Sequence, residues 1–121
     1  MRLGLLALTG TAFALPAYLS IAAPARDARQ NAMEKIADVV ALARICPALE
    51  MNSAFVTSIA IGTNIGQKDD YQAIEAMANA REGEIRRKGE EVAACADGAS
   101  LYGTGGTALP GMMRKRPAEA L

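Results

Sequence analysis

Residues 31–47 read NAMEKIADVVALARICP and predict a helix with both of its ends. Asn31 and Glu34 have the spacing of a capping box, in which two side chains satisfy free backbone amides at a helix N-terminus. The helix ends before Pro47, because the residue that precedes a proline, here Cys46, is disfavoured in the α conformation. Apolar residues recur between these ends at helical spacing and predict one buried face: Met33, Ile36, Ala37, Val40 and Ala43.

The first helix is expected to start at Asp27 or Asn31. The same patterns predict a second helix directly after it. Proline is favoured in the first turn of a helix, where its missing amide hydrogen costs nothing, so the second helix is expected from about Pro47 to Ile61. Gly62 is expected to end it in the left-handed conformation. The stretch that follows, residues 62–67, contains two glycines and an asparagine and is predicted to be a loop.

A third helix is predicted from Asp69 to Cys95. Asp69 and Gln72 form a second capping-box pattern. Gly83 and Gly89 each make a helix about 1 kcal/mol less stable than alanine would, so we expect a bend or a break at one of them. The expected inward face includes Tyr71, Ile74, Ala78, Ile85, Val92 and Cys95.

The N-terminus has the pattern of a secretory signal peptide. Arg2 is followed by Leu3–Ala25, which contains no charged residue and ends in small residues. Cleavage after Ala25 fits best, and the Ser20-Ile21-Ala22 stretch is a second candidate. About 20 apolar residues can also span a bilayer, so the alternative is an uncleaved membrane anchor. We therefore expect a periplasmic or secreted protein, with a membrane contact only if the segment is uncleaved.

Export also decides how the two cysteines are interpreted. Cys46 and Cys95 are the only cysteines in the chain. An even number of cysteines in an oxidising compartment predicts a disulfide, and this one would link the start of the second helix to the end of the third.

The C-terminal residues 101–121 are too rich in glycine and proline for a regular element. They nevertheless carry apolar and basic side chains that form a possible interaction surface: Leu109, Met112, Met113, Arg114, Lys115 and Arg116. Burying each apolar side chain would contribute about 1.5–3 kcal/mol to a small core. Either this segment packs on the helices near Cys95, or it offers an apolar patch to a partner.

Composition argues against several classes of function. Thirteen basic residues balance thirteen acidic ones, so no overall field attracts nucleic acid, and none is expected as a partner. The chain contains no histidine, which removes the usual general base and the usual metal ligand. We predict no catalytic residue, no metal and no cofactor. A cleft of about 300 Å³ or more lined by several ionisable groups would argue against this expectation.

These patterns predict an all-α protein: a small three-helix bundle with one inter-helix disulfide and a Gly-rich irregular C-terminal tail. The expected organisation is a signal peptide at 1–25, a helical domain at 26–100 and a Gly/Pro-rich basic tail at 101–121. The predicted function is that of a small exported, non-enzymatic binding protein whose ligand or protein partner is unidentified. The alternative is a membrane-anchored small subunit of an envelope complex that retains the N-terminal apolar helix.

Overall fold

The computed structural model describes residues 24–117, which form four helices and a small sheet. The helices are α1 (Pro24–Ile45), α2 (Ser53–Gly62), α3 (Lys68–Lys88) and α4 (Glu91–Tyr102). Two short strands, β1 (Leu49–Met51) and β2 (Met113–Lys115), pair antiparallel. The mainly helical prediction is confirmed, but the three-helix bundle is corrected to four helices and a two-stranded sheet. Residues 1–23, which make up all but the last two residues of the predicted signal peptide, lie outside the described residues. Residues 118–121 also lie outside them.

Helix α1 is the central element of the core. The predicted apolar face is present, since Met33, Ile36 and Ala37 are buried. Leu42, which lies on the side of the helix opposite to Met33, is also buried. A helix covered on several sides must be surrounded by the rest of the chain, and α1 packs against all three other helices and against β1.

The expected start of the second helix at Pro47 is wrong. Residues 46–48 turn, β1 follows, and α2 begins only after Asn52, whose side-chain Oδ1 accepts the backbone N–H of Phe55 at 3.4 Å. The backbone N–H of Asn52 is itself bound at 2.8 Å by the carbonyl of Met112. The partner strand β2, whose residues lie 62–66 positions further along the chain, therefore keeps this stretch extended against its helical pattern.

The ends of the loop between α2 and α3 also differ from the prediction. Asn64, and not Gly62, takes the left-handed conformation, with φ 61°. Helix α3 starts at Lys68 with Gln67 as its N-cap, ahead of the predicted Asp69. The residue that satisfies the free amides is Asp70, whose carboxylate accepts the N–H groups of Gly66 and Gln67, both at 3.1 Å.

The predicted long third helix breaks at Gly89, which is one of the two positions predicted for a bend or a break. Gly89 has φ 66°, a conformation that glycine adopts without strain, and α4 begins after it. The break changes which side of the chain faces inward, so Ile85 is buried whereas Val92 is 87 % exposed. The expected inward position of Val92 is therefore wrong.

The disulfide between Cys46 and Cys95 is confirmed, with its Cα atoms 5.6 Å apart. It joins the end of α1 to α4, where the prediction placed it between the second and third helices. This bond is consistent with an extracellular or otherwise oxidising compartment. Among the residues that the structure describes, no helix is both long enough and apolar enough to cross a membrane.

The segment after α4 is irregular but ordered by backbone hydrogen bonds. Its residues return to the end of α4: the N–H groups of Thr107 and Ala108 donate to the carbonyls of Ser100 and Leu101 at 3.1 and 3.0 Å. Gly106 is required here, because a Cβ atom would lie 2.3 Å from the Leu101 carbonyl oxygen. The turn delivers the chain to β2 and to the core.

Candidate functional site

Helix α3 lies along α1, and a cleft opens on each side of it. Ile36 lines one cleft and Asp38 lines the other. Residues that are two positions apart in a helix differ by about 200° around its axis. The side chains of Ile36 and Asp38 therefore point to opposite sides of α1. The two clefts differ in their chemistry.

The first, which we call the apolar cleft, has a volume of about 310 Å³. It lies between α2 and α3, which hardly contact each other, with α1 as its floor. Its lining is mainly aliphatic: Ile36, Val40, Met51, Val56, Thr57, Ala60, Ile61, Ile65, Tyr71, Ile74 and Glu75.

Two large apolar side chains stand exposed at the edge of the apolar cleft. Ile61 is 74 % exposed and Tyr71 is 57 % exposed. The acidic group of the lining, Glu75, accepts a hydrogen bond from Nη2 of Arg44 on α1 at 2.7 Å. Its charge is therefore balanced by the protein, and what remains for a ligand is apolar surface.

The second, which we call the polar cleft, has a volume of about 370 Å³ and lies where α1, α3 and α4 meet. It is lined by Glu34, Lys35, Ala37, Asp38, Met77, Arg81 and Tyr102. Four of these seven residues carry a full charge at neutral pH, two of each sign.

Asp38 joins the three helices of the polar cleft. Its Oδ2 accepts the hydroxyl of Tyr102 at 2.7 Å, and its Oδ1 accepts Nε of Arg81 at 3.1 Å. Tyr102 is buried except for 4 % of its surface, and burial together with the bond to Asp38 raises the pKa of its hydroxyl well above the usual value. The hydroxyl therefore stays protonated at neutral pH and acts as a donor.

The polar cleft is larger than about 300 Å³ and is lined by several ionisable groups, and both properties argue against a purely binding protein. Several of its side chains bind one another. Asp38 accepts hydrogen bonds from two partners, and burial together with the bond to Asp38 raises the pKa of the Tyr102 hydroxyl. The disulfide leaves no free thiol, and the chain has no histidine. The carboxylate of Asp38 and the hydroxyl of Tyr102 are therefore engaged with each other.

The predicted C-terminal interaction surface is divided between the core and the solvent. Met112 and Met113 have no exposed surface and join the hydrophobic core, and Leu109 packs partly buried against it. Arg114 donates from Nε to Glu50 at 2.8 Å, across the sheet. Lys115 is exposed, whereas Nη2 of Arg116 donates to the carbonyl of Leu49 at 3.2 Å.

Sequence reasoning did not find either cleft. Arg81 interrupts the predicted apolar face of the third helix, and Asp38 lies within the apolar run of the first. Two interruptions of opposite charge on two neighbouring helices are a signal that the helices meet there. In the structure these two side chains form an ion pair, with N and O 3.1 Å apart.

No family model, curated protein or solved structure matches this chain. Within residues 28–117, whose side chains the structure describes, no three Asp, Glu, Cys or His side chains come together to hold a metal ion. The function must therefore be argued from the two clefts.

Proposed function

We propose that this chain is a small exported, non-enzymatic protein that binds a small apolar molecule in the apolar cleft. The observation that carries this proposal is a concave surface of about 310 Å³ whose lining is mainly apolar. Its volume lies at the lower end of the range for small-molecule sites, about 300–1,000 Å³.

Two further features support the proposal. Ile61 and Tyr71 stand at the edge of the cleft, where a ligand would cover apolar surface that now faces water. Glu75 is neutralised by Arg44, so an uncharged ligand would not leave this carboxylate unpaired.

The direct test is titration with the uncharged fluorescent probe N-phenyl-1-naphthylamine. We expect saturable binding to the folded protein, and about tenfold weaker binding after Ile61→Glu, because one aliphatic contact is lost and a charge is placed at the edge. Val92→Glu is the matched control, since Val92 is exposed but lines neither cleft. Equal losses in both variants, or no saturable binding to the wild type, would contradict the proposal.

The proposal of export has a separate test. The disulfide supports folding in an oxidising compartment, and the sequence predicts removal of residues 1–25. N-terminal sequencing of protein from its native host should give Arg26 as the first residue. A chain that retains Leu3–Ala25 would instead favour the membrane-anchored subunit.

A further inference from the structure

We propose that the polar cleft is a second binding site, and that its ligand is a small zwitterion of the amino-acid type with an apolar side chain. This site is separate from the apolar cleft and does not depend on the function proposed there. Some charges of the polar cleft are already paired within the described part of the protein, and others are available to a ligand.

Asp38 and Arg81 neutralise each other, but only part of the guanidinium is used. Nε of Arg81 donates to Asp38, whereas neither Nη nitrogen makes a hydrogen bond to a described residue. The bond from the buried Tyr102 holds Asp38 from the other side. Arg81 is therefore anchored through one nitrogen and has a planar pair of donors left for a carboxylate.

Two further charges of the polar cleft have no ionic partner among the described side chains. Nζ of Lys35 donates to Oδ1 of Asn31 at 3.2 Å, a neutral acceptor. Oε1 of Glu34 accepts from Nε2 of Gln30 at 3.2 Å, a neutral donor. One cation and one anion thus remain beside the guanidinium of Arg81.

A ligand that carries one charge of each sign satisfies all of these groups. Its carboxylate would bind Arg81 and Lys35, and its ammonium group would bind Glu34. A simple anion would face the carboxylate of Glu34, and a simple cation would face Lys35 and Arg81. The side chains of Ala37 and Met77 supply apolar surface in the same cleft, so an apolar ligand side chain fits better than a charged one.

The test compares three small probes on the ¹⁵N-labelled protein by NMR titration: leucine, 4-methylpentanoate and 3-methylbutylamine. The second lacks the ammonium group of leucine and the third lacks its carboxylate. We expect saturable shifts for leucine at residues 34–38 and 77–81, with affinity for either analogue weaker by about tenfold. No saturable shift with leucine, or equal affinity for leucine and 4-methylpentanoate, would overturn the zwitterion assignment.

Variants assign the two ends of the ligand. Glu34→Gln should weaken leucine binding about tenfold but strengthen 4-methylpentanoate binding, because it removes a negative charge that repels this anion. Arg81→Gln should weaken the binding of both. Arg86→Gln is the control for Arg81, because it lies on the same helix and outside the cleft, paired with Glu82. Lys35→Gln, on the surface of α1, should also weaken both and keeps the test decisive if Arg81→Gln fails to fold. Unchanged leucine binding in Glu34→Gln and Lys35→Gln would overturn the proposal.

Discussion

The two clefts beside α3 are built from the same pair of helices and yet offer opposite surfaces to a ligand. The apolar cleft receives Ile36 and Val40 from α1, and the polar cleft receives Glu34, Lys35 and Asp38. What separates them is the helix added on each side. Helix α2 contributes aliphatic side chains to the first, and α4 contributes the hydroxyl of Tyr102 to the second.

The comparison also shows two ways to leave space in a small protein. The apolar cleft exists because α2 packs on α1 without closing on α3. The polar cleft is instead held by Asp38, which bonds to both α3 and α4. Each cleft can therefore be disturbed without the other, and the following variants use this difference.

The largest effect is expected from removing the disulfide. Replacing both cysteines, Cys46→Ser with Cys95→Ser, frees the unfolded chain from a loop closed over 49 residues and should cost about 4 kcal/mol. Because small domains have only about 5–15 kcal/mol of stability, we expect a protein largely unfolded at 37 °C by circular dichroism. At lower temperature the polar cleft, which takes Tyr102 from α4, should be lost before the apolar cleft. An unchanged melting temperature would show that the bond does not hold α4.

Met113→Ala should have the next largest effect. Met113 has no exposed surface, and truncating a buried methionine costs about 2–5 kcal/mol. Met113 is paired with Met51, which lines the apolar cleft, so binding of N-phenyl-1-naphthylamine should also weaken while leucine binding does not. Chemical denaturation measures the stability, with the exposed Lys115→Ala as the control. Equal stability of the two variants would mean that β2 does not belong to the core.

Tyr102→Phe acts on the polar cleft alone and should cost about 1.5–3 kcal/mol, the value of a hydrogen bond to a charged group. The pKa of Tyr102 is raised in the folded state, so its contribution is complete below the unfolded value of about 10 and is lost as the pH rises above it. The urea concentration at the unfolding midpoint should therefore be lower at pH 11 than at pH 8 in the wild type. The same difference should be smaller in Tyr102→Phe. Tyr71→Phe, at the edge of the apolar cleft, is the control. If both variants reduce the difference between pH 8 and pH 11 equally, the pH dependence does not come from Tyr102.

Asp70→Asn should have the smallest effect and act on the apolar cleft alone. The hydrogen bond from Arg29, followed by the backbone N–H groups of Gly66 and Gln67, lowers the pKa of Asp70. Its contribution is therefore present above the unfolded pKa of about 3.9 and is lost as the pH falls below it. We expect Asp70→Asn to reduce the difference in stability between pH 5 and pH 2.5.

The same variant should loosen the loop that carries Ile65 into the apolar cleft, which faster exchange of the Ile65 amide hydrogen would report. Asp69→Asn is the control on the adjacent exposed residue. If it changes the acid stability as much as Asp70→Asn does, the loop is not held by the carboxylate of Asp70.

The sequence by itself determined the features whose causes lie within a few residues. Pro47 ends α1, because a proline restricts the residue before it. A break of the long third helix was predictable at Gly83 or Gly89, because glycine accepts the positive φ that a break needs, and the structure places it at Gly89. The cysteine pair was predictable as well, since two cysteines have one intramolecular pairing and the N-terminal pattern predicts an oxidising compartment.

Only the tertiary structure decided the strands, the buried tail and both clefts. Residues 49–51 follow a helical pattern locally, but pairing with residues 113–115 makes them a strand. Arg114 has no acid within four residues in the sequence and meets Glu50 across 64 residues. The bond between Tyr102 and Asp38 spans the same separation. Local propensities act over a few residues and are worth less than about 1 kcal/mol at each position, so contacts made by packing override them.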